Sequence, residues 1–375
     1  MPTAQQAFEA FTEAGIEFWT GVPDSLLKPL CAYVADHVDA DHHVIAANEG
    51  GAVAIAAGHY LATGRPGAVY LQNSGLGNTI NPLVSLADPD VYGIPMLLVI
   101  GWRGEPNRPD EPQHIKQGRA TLPLLDAIGV PHAICTEDAV EFATVVAEAG
   151  ARAITEERPV ALIVPKGIIT DYTGKKSIHD EHLMTREMAI AAIADGAPED
   201  AVIVATTGKT SRELFEYRAA NHQAPVRDFL MVGSMGHASQ TALGMALGDP
   251  AREVWVLDGD GALVMHMGGM CVITDHQPRN LRHIVLNNRV HDSVGGQPTP
   301  TSRVSLTELA KATGYASARS ASTPEALGDA IAAMGSQPGP SLLEVLVAPG
   351  ARTDLGRPTS TPRENKAAMM GWLRE

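Results

Sequence analysis

The chain of 375 residues has few cysteines, a deficit of basic residues and no long apolar run. Its three cysteines, Cys31, Cys135 and Cys271, stand singly in apolar surroundings, without a C-x-x-C pair or an even framework. That pattern excludes a disulfide scaffold and implies reduced core thiols in a cytoplasmic protein. Lys and Arg number 28 against 43 Asp and Glu, a net charge of −15. A nucleic-acid surface needs clustered cations, so nucleic acid is excluded as a partner; a local cationic pocket for a small anion is not. The longest apolar run, IPMLLVIGW, falls well short of a bilayer and reads as a buried strand, so no membrane segment is expected. The N-terminal stretch MPTAQQAFEAFTEAGIEF carries acids among its apolar positions and no basic lead-in, as an amphipathic first helix does and a signal peptide does not.

What is present describes a globular α/β protein. Hydrophobic residues make up 45% and charged residues 19%, enough for a substantial core, and 36 glycines with 26 prolines suit many tight strand-to-helix turns. Short apolar runs at 17–20, 43–46, 67–72, 96–100, 132–134 and 160–164 alternate with helical patterns at 3–14, 49–63 and 139–156. Continuous apolar strands separated by helices imply a parallel sheet covered on both faces. The pattern lapses in PKGIITDYTGKKSIHDEHLMT, a polar, turn-rich linker. It then repeats, with strands at 201–205, 227–231, 254–257, 283–286 and 341–347 and helices at 186–195, 239–247, 306–313 and 324–335, before a loop and a closing helix. Two doubly wound parallel-sheet domains are expected, 1–165 and 185–375, joined by a linker over 166–184.

In open α/β sheets ligands sit beyond the carboxyl ends of the strands, so glycine turns there are the first places to look. SGLGNTI holds Gly75 and Gly77 but lacks the third glycine of a dinucleotide fingerprint. TTGKTSRE contains Gly208, Lys209 and Thr210, but the glycine a P-loop needs five positions earlier is Ile203. A diphosphate held through a metal fits better. In VWVLDGDGALVM, Asp260 ends an apolar strand between Gly259 and Gly261; in HIVLNNRVHD, Asn287 and Asn288 end another. The carboxylate suits a hard cation, the glycines let backbone approach phosphate oxygens, and the following helix start favours an anion. From 260 to 288 is 28 positions, room for one helix and one strand, so both motifs land on adjacent strand ends. Either motif alone is an ordinary turn; together they point to Mg²⁺ and a diphosphate.

This pair resembles the signature of thiamine-diphosphate enzymes. The resemblance implies that Asp260, Asn288 and the carbonyl of Val290 hold Mg²⁺, that Gly259, Gly261 and Ala262 line the diphosphate, and that Asn287 is structural. It also implies that Glu49, in AANEGGAVA, protonates the aminopyrimidine, although a Glu at a helix start is equally a capping choice. In MVGSMGHAS, Met235 would hold the cofactor bent and the Gly233 carbonyl would receive its amino group. TGVPDSLLKPL, YLQNSGLGNTINPLVSLADPDVYGIPMLLVIGWRGEPNRPDEPQH, TTGKTSRELFE, NNRVHDSVGGQPT and DLGRPTSTPRENK together resemble the phosphonopyruvate decarboxylase family, with the sulfopyruvate decarboxylases as its nearest relatives. The likeness runs almost end to end and leaves no space for a middle domain. Arg289-Val290 departs from it, since small residues more often follow the two asparagines.

The family resemblance implies decarboxylation of 3-phosphonopyruvate to phosphonoacetaldehyde and CO₂, in phosphonate and antibiotic biosynthesis, with the thiazolium storing the released electron pair. A substrate with two anionic groups calls for cations, and Arg103, Lys209 and Arg212 are the candidates, with His114 and His291 as candidates both for binding and for the final proton. Asn73 and Ser74 would orient the carboxylate, and Asp24 and Ser25 are further candidates, although helix capping explains them as well. Sulfopyruvate is the alternative substrate, and a catalytically silent cofactor-binding protein the alternative class. Because the two cofactor-binding domains come from different chains in this superfamily, at least a homodimer is expected, with active sites at the subunit interface.

Overall fold

The computed structural model describes residues 1–175 and 183–374, so the expected linker lies in part, at 176–182, outside the described residues. The chain divides into two compact units, Met1–Ser177 with Ser293–Gln297, and Ile178–Asp292 with Pro298–Glu375.

The first unit is built on six strands: β1 Phe18–Gly21, β2 His43–Ile45, β3 Gly67–Gln72, β4 Met96–Gly101, β5 His132–Ile134 and β6 Pro159–Val164. They lie in the order β2-β1-β3-β4-β6-β5, every pair parallel. Every residue of β4 and β6 is buried, as a strand covered on both faces must be. One face packs Phe11, Trp19, Leu30 and Phe142, the other Val53, Leu71, Leu98 and Leu125. Each such side chain contributes roughly 1.5–3 kcal/mol relative to exposure. Helix Glu49–Thr63 starts where the Asn48 side chain accepts from the Gly51 N–H at 2.8 Å, and ends where Gly64 turns left-handed at φ 71°.

The second unit repeats the plan with β7 Val202–Ala205, β8 Asp228–Leu230, β9 Val254–Gly259, β10 Leu281–Asn287, β11 Ser317–Ala321 and β12 Ser341–Leu346. The order is β11-β12-β10-β9-β7-β8, again all parallel. Register pairs Leu286 with Gly259, so Asp260 and the two asparagines leave neighbouring strands at the same edge. In each sheet the chain reverses direction across the order, between β1 and β3 and between β7 and β9. Those are the switch points where an open α/β sheet leaves a crevice. Strand β11 and the helices Lys28–His37, Pro112–Ala127 and Lys209–Ala220 are additions that periodicity does not single out. Among the described residues no helix is long and apolar enough to cross a membrane.

Candidate functional site

In the second unit the crevice edge is built around Asp260. It opens the short helix Asp260–Met265 directly after β9 and is almost fully buried. Its Oδ2 accepts from the Thr299 hydroxyl at 2.5 Å and the Thr301 hydroxyl at 2.9 Å, and backbone N–H groups of the same turn support the carboxylate. Burial pushes the carboxyl above its ordinary range against the pull of those hydroxyls. The preceding Asp258 accepts from the Gly259 N–H at 2.9 Å, and its other oxygen faces His283 Nε2 at 3.4 Å. Asn287 donates to Glu344 at 2.7 Å and accepts from the Arg289 N–H, while Asn288 Oδ1 accepts from the Val290 N–H at 3.2 Å. Arg289 sits at φ 60°, a left-handed turn that a non-glycine residue rarely adopts. The strand then folds back as a hairpin: Val290 bridges Pro298, and the Thr299 N–H donates to the Arg289 carbonyl at 2.9 Å. That return delivers Thr299 to Asp260.

Around this edge the contacts are close. A Cβ on Gly261 would lie 3.1 Å from His291 Cε1 and 3.2 Å from Thr299 Cγ2, so the backbone there has no room to spare. His291 is buried, burial pushes its imidazole down to about 4, and its Nε2 has no hydrogen-bond partner among the described residues. Met235 lies in a turn in which Ser234 and Gly236 both have positive φ; a Cβ on Gly236 would lie 3.0 Å from the Ala262 carbonyl. Gly236 is therefore brought beside the helix that Asp260 opens, with Met235 next to it in the chain. Lys209 begins the helix after β7 and pairs with Asp292 at 3.2 Å. Asp292 also takes Arg186 at 3.0 Å, and Arg186 grips Glu213 with two bonds of 2.6 and 2.7 Å.

In the first unit Glu49 occupies the first turn of its helix and is 6% exposed. Asn78 donates to Oε2 at 2.8 Å, and a Cβ on Gly75 would come within 2.1 Å of Oε1. Burial pushes this carboxyl up and the Asn78 amide pulls it down. Beyond β1, fully buried Asp24 accepts from the N–H groups of Leu26 at 3.1 Å and Leu27 at 3.2 Å and from Gln72 at 3.1 Å. Burial nevertheless pushes its carboxyl up to about 6. Arg103 holds Asp110 through Nε at 2.8 Å and through Nη2, and donates to Ser25 at 3.0 Å.

The N-terminal TPP binding domain of thiamine pyrophosphate enzymes matches residues 1–121, and the C-terminal TPP binding domain matches residues 206–345. A phosphonopyruvate decarboxylase of Streptomyces viridochromogenes is 37% identical over 94% of this chain and 90% of its own length. One from Streptomyces hygroscopicus is 37% identical over 97% and 92%. A sulfopyruvate decarboxylase of Methanosarcina acetivorans is 28% identical over 92% and 91%. The chain belongs to the phosphonopyruvate decarboxylase family. It is a thiamine-diphosphate-dependent decarboxylase, a carboxy-lyase.

For a member of this family the donor set suits the cofactor. Among the described residues no three His, Cys, Asp or Glu side chains gather, so a metal here would rest on Asp260 with amide and backbone oxygens, a hard-cation set. The Val290 carbonyl already accepts from the Asp292 N–H at 3.0 Å and keeps one lone pair.

Two of the expected substrate contacts already have partners within the chain. Asn73 is buried and its amide bonds the Arg103 backbone, at 2.8 and 3.1 Å, and Thr121, so it fastens the chain that follows β4. Arg212 donates to the carbonyls of Leu355 and Gly356 and so fastens the tail loop. Ser74 is exposed and donates to Gln72 at 3.1 Å, and His114 sits early in helix Pro112–Ala127. The residues that sequence reading misses are Asn78, Asp110, Asp292, Thr299 and Thr301, partners of expected residues, and Arg186 and Glu213, which pair with Asp292 and with each other. The one available hint was GGQPTPT, where Thr299 and Thr301 alternate to one side shortly after the asparagine pair.

Proposed function

We propose that the chain decarboxylates 3-phosphonopyruvate to phosphonoacetaldehyde and CO₂, in the cytoplasm and in phosphonate antibiotic synthesis. The observation that carries this substrate is the 37% identity, over nine-tenths of both chains, to phosphonopyruvate decarboxylases, against 28% to a sulfopyruvate decarboxylase of equal coverage. Asp260, Asn288 and the Val290 carbonyl would hold Mg²⁺, with the backbone of Gly259, Gly261 and Ala262 at the diphosphate. Thiamine diphosphate supplies the electron sink that accepts the pair left by departing CO₂. Glu49, desolvated and hence protonated more readily than an ordinary carboxyl, donates to the pyrimidine. The Gly233 carbonyl would accept from the cofactor amino group, and Met235 would be the apolar residue that keeps the cofactor bent. Lys209, steadied by Asp292, and Arg103, steadied by Asp110 and Ser25, are the cations for the carboxylate and phosphonate. Self-association places the sites between subunits. Three free thiols agree with a reducing compartment.

Release of CO₂ and aldehyde from phosphonopyruvate, sulfopyruvate and pyruvate, measured in parallel with Mg²⁺ and thiamine diphosphate present or omitted, tests the reading. Cofactor-dependent turnover of phosphonopyruvate, abolished in Glu49→Gln, is expected. Preference for sulfopyruvate replaces the substrate and keeps the mechanism. Cofactor binding without turnover of any acid sinks the assignment.

A further inference from the structure

We propose that Asn78 fixes the catalytic proton of Glu49 on Oε1 and so acts as a positioning residue for proton donation to the pyrimidine. The inference rests on the role proposed above for Glu49. Its basis is a seat assembled from two turns. Asn78, on helix Leu76–Pro82, reaches from an exposed position and donates Nδ2–H to Oε2 at 2.8 Å. Two glycines make this approach possible. A Cβ on Gly50 would lie 2.7 Å from the Asn78 carbonyl, and a Cβ on Gly75 would lie 2.1 Å from Oε1. The segments NEGG and SGLGN therefore interlock around one carboxyl group.

A carboxyl oxygen that accepts an N–H bond serves as the carbonyl-type oxygen, so the proton resides on the other. Here that is Oε1, the oxygen over Gly75. No competing charge decides the matter. The elements that pack most against helix Glu49–Thr63 are β1, β3, helix Leu76–Pro82 and the turn Leu83–Ala87. Among these described residues none carries a charged side chain; Tyr70 of β3 is titratable, and its hydroxyl is engaged with His43 at 2.8 Å. On the same helix the titratable groups are His59 and Tyr60, roughly 15 Å further along at 1.5 Å per residue. Burial and Asn78 thus oppose each other directly, one favouring the carboxyl and the other the carboxylate.

The test uses the full chain with Asn78→Ala, Asn78→Asp and Glu49→Gln. In the cofactor-free protein, the protonated-carboxyl stretch of Glu49 is followed against pH by infrared difference, assigned by its loss in Glu49→Gln. Asn78→Ala should move that titration to higher pH by about one unit, because a donor to the charged form is gone. Asn78→Asp should move it further, through like charge. In the loaded enzyme, Asn78→Ala should lower kcat by about tenfold while KM changes less than about twofold. A titration that stays in place or moves down in Asn78→Ala overturns the inference. Full turnover by Glu49→Gln instead overturns the role of Glu49 itself, so the two failures are distinguishable. Because Asn78 is exposed, the variants are expected to keep the fold; Asn78→Ser provides a second truncation should Asn78→Ala be unstable.

Discussion

Replacing Thr299 by Val tests whether the threonine pair sets the Asp260 carboxylate proposed to hold Mg²⁺. The two side chains are nearly isosteric, but a methyl replaces the hydroxyl that stands 2.5 Å from Asp260 Oδ2. A carbon needs about 3.3 Å from an oxygen, so the carboxylate must retreat by roughly 1 Å. Oδ2 keeps Thr301 at 2.9 Å and loses its shorter partner. Removing a hydrogen bond to a charged group costs about 1.5–3 kcal/mol, and at 1.4 kcal/mol per tenfold that is about 10- to 100-fold in affinity. Mn²⁺ binding by electron paramagnetic resonance, with thiamine diphosphate saturating and Mg²⁺ as competitor, reads the effect directly. Thr299→Ser restores the donor without the methyl and should stay within about threefold of the parent. Thr299→Val with Thr301→Val should exceed the product of the single effects, because both hydroxyls serve one oxygen. Unchanged metal affinity in Thr299→Val, at an unchanged melting temperature, would show that Asp260 needs no such support.

Three further outcomes are expected. Gly75→Ala places a Cβ 2.1 Å from Glu49 Oε1 and should cut kcat by about 100-fold while circular dichroism stays that of the parent; retained turnover would mean that the Glu49 carboxyl is not held where it now lies. Arg186→Met strands buried Glu213 and should cost about 3–5 kcal/mol, a fall of roughly 10 °C in calorimetry, part of which Glu213→Leu recovers; a fall of only a degree or two would refute this. Asp24 is raised in the fold from 3.8 to about 6, so the stability it confers is complete at acid pH and is lost as pH rises through that window. The two-unit difference corresponds to about 3 kcal/mol, and Asp24→Asn should flatten that part of the urea-midpoint profile against pH; an unaltered profile would place the titration elsewhere.

The fold was legible wherever both faces of a strand are buried. The runs at 96–100 and 160–164 are apolar at every position, and they became β4 and β6 almost unchanged. Strand β11, SARSA, was not legible: it lies at the sheet edge, is half exposed and satisfies its backbone from one side, so nothing requires it to be apolar. Helix Lys209–Ala220 escaped for a related reason, since its buried positions include Ser211, Glu213 and Arg218, polar groups satisfied by tertiary partners. The site divides in the same way. That Asp260 and Asn288 end neighbouring strands could be read from two apolar runs and their spacing, whereas Thr299 reaches Asp260 only through the hairpin closed at Arg289.

The cations are the sharpest case. Arg103, Lys209 and Arg212 look alike in sequence, yet each has been committed differently: to Asp110, to Asp292 and to the carbonyls of the tail. A partly buried cation without a partner is expensive, so each must be paired, and what separates them is the kind of partner. Lys209 and Arg103 are held by carboxylates, whereas the Nε and Nη2 of Arg212 end on backbone oxygens. Arg186, Lys209, Glu213 and Asp292 together carry no net charge, which lets them be buried side by side. A doubly anionic substrate reaching Lys209 thus meets a cation held in place by a carboxylate. Its binding should weaken with salt less steeply than it would at an isolated surface lysine, because the network is screened little by solvent.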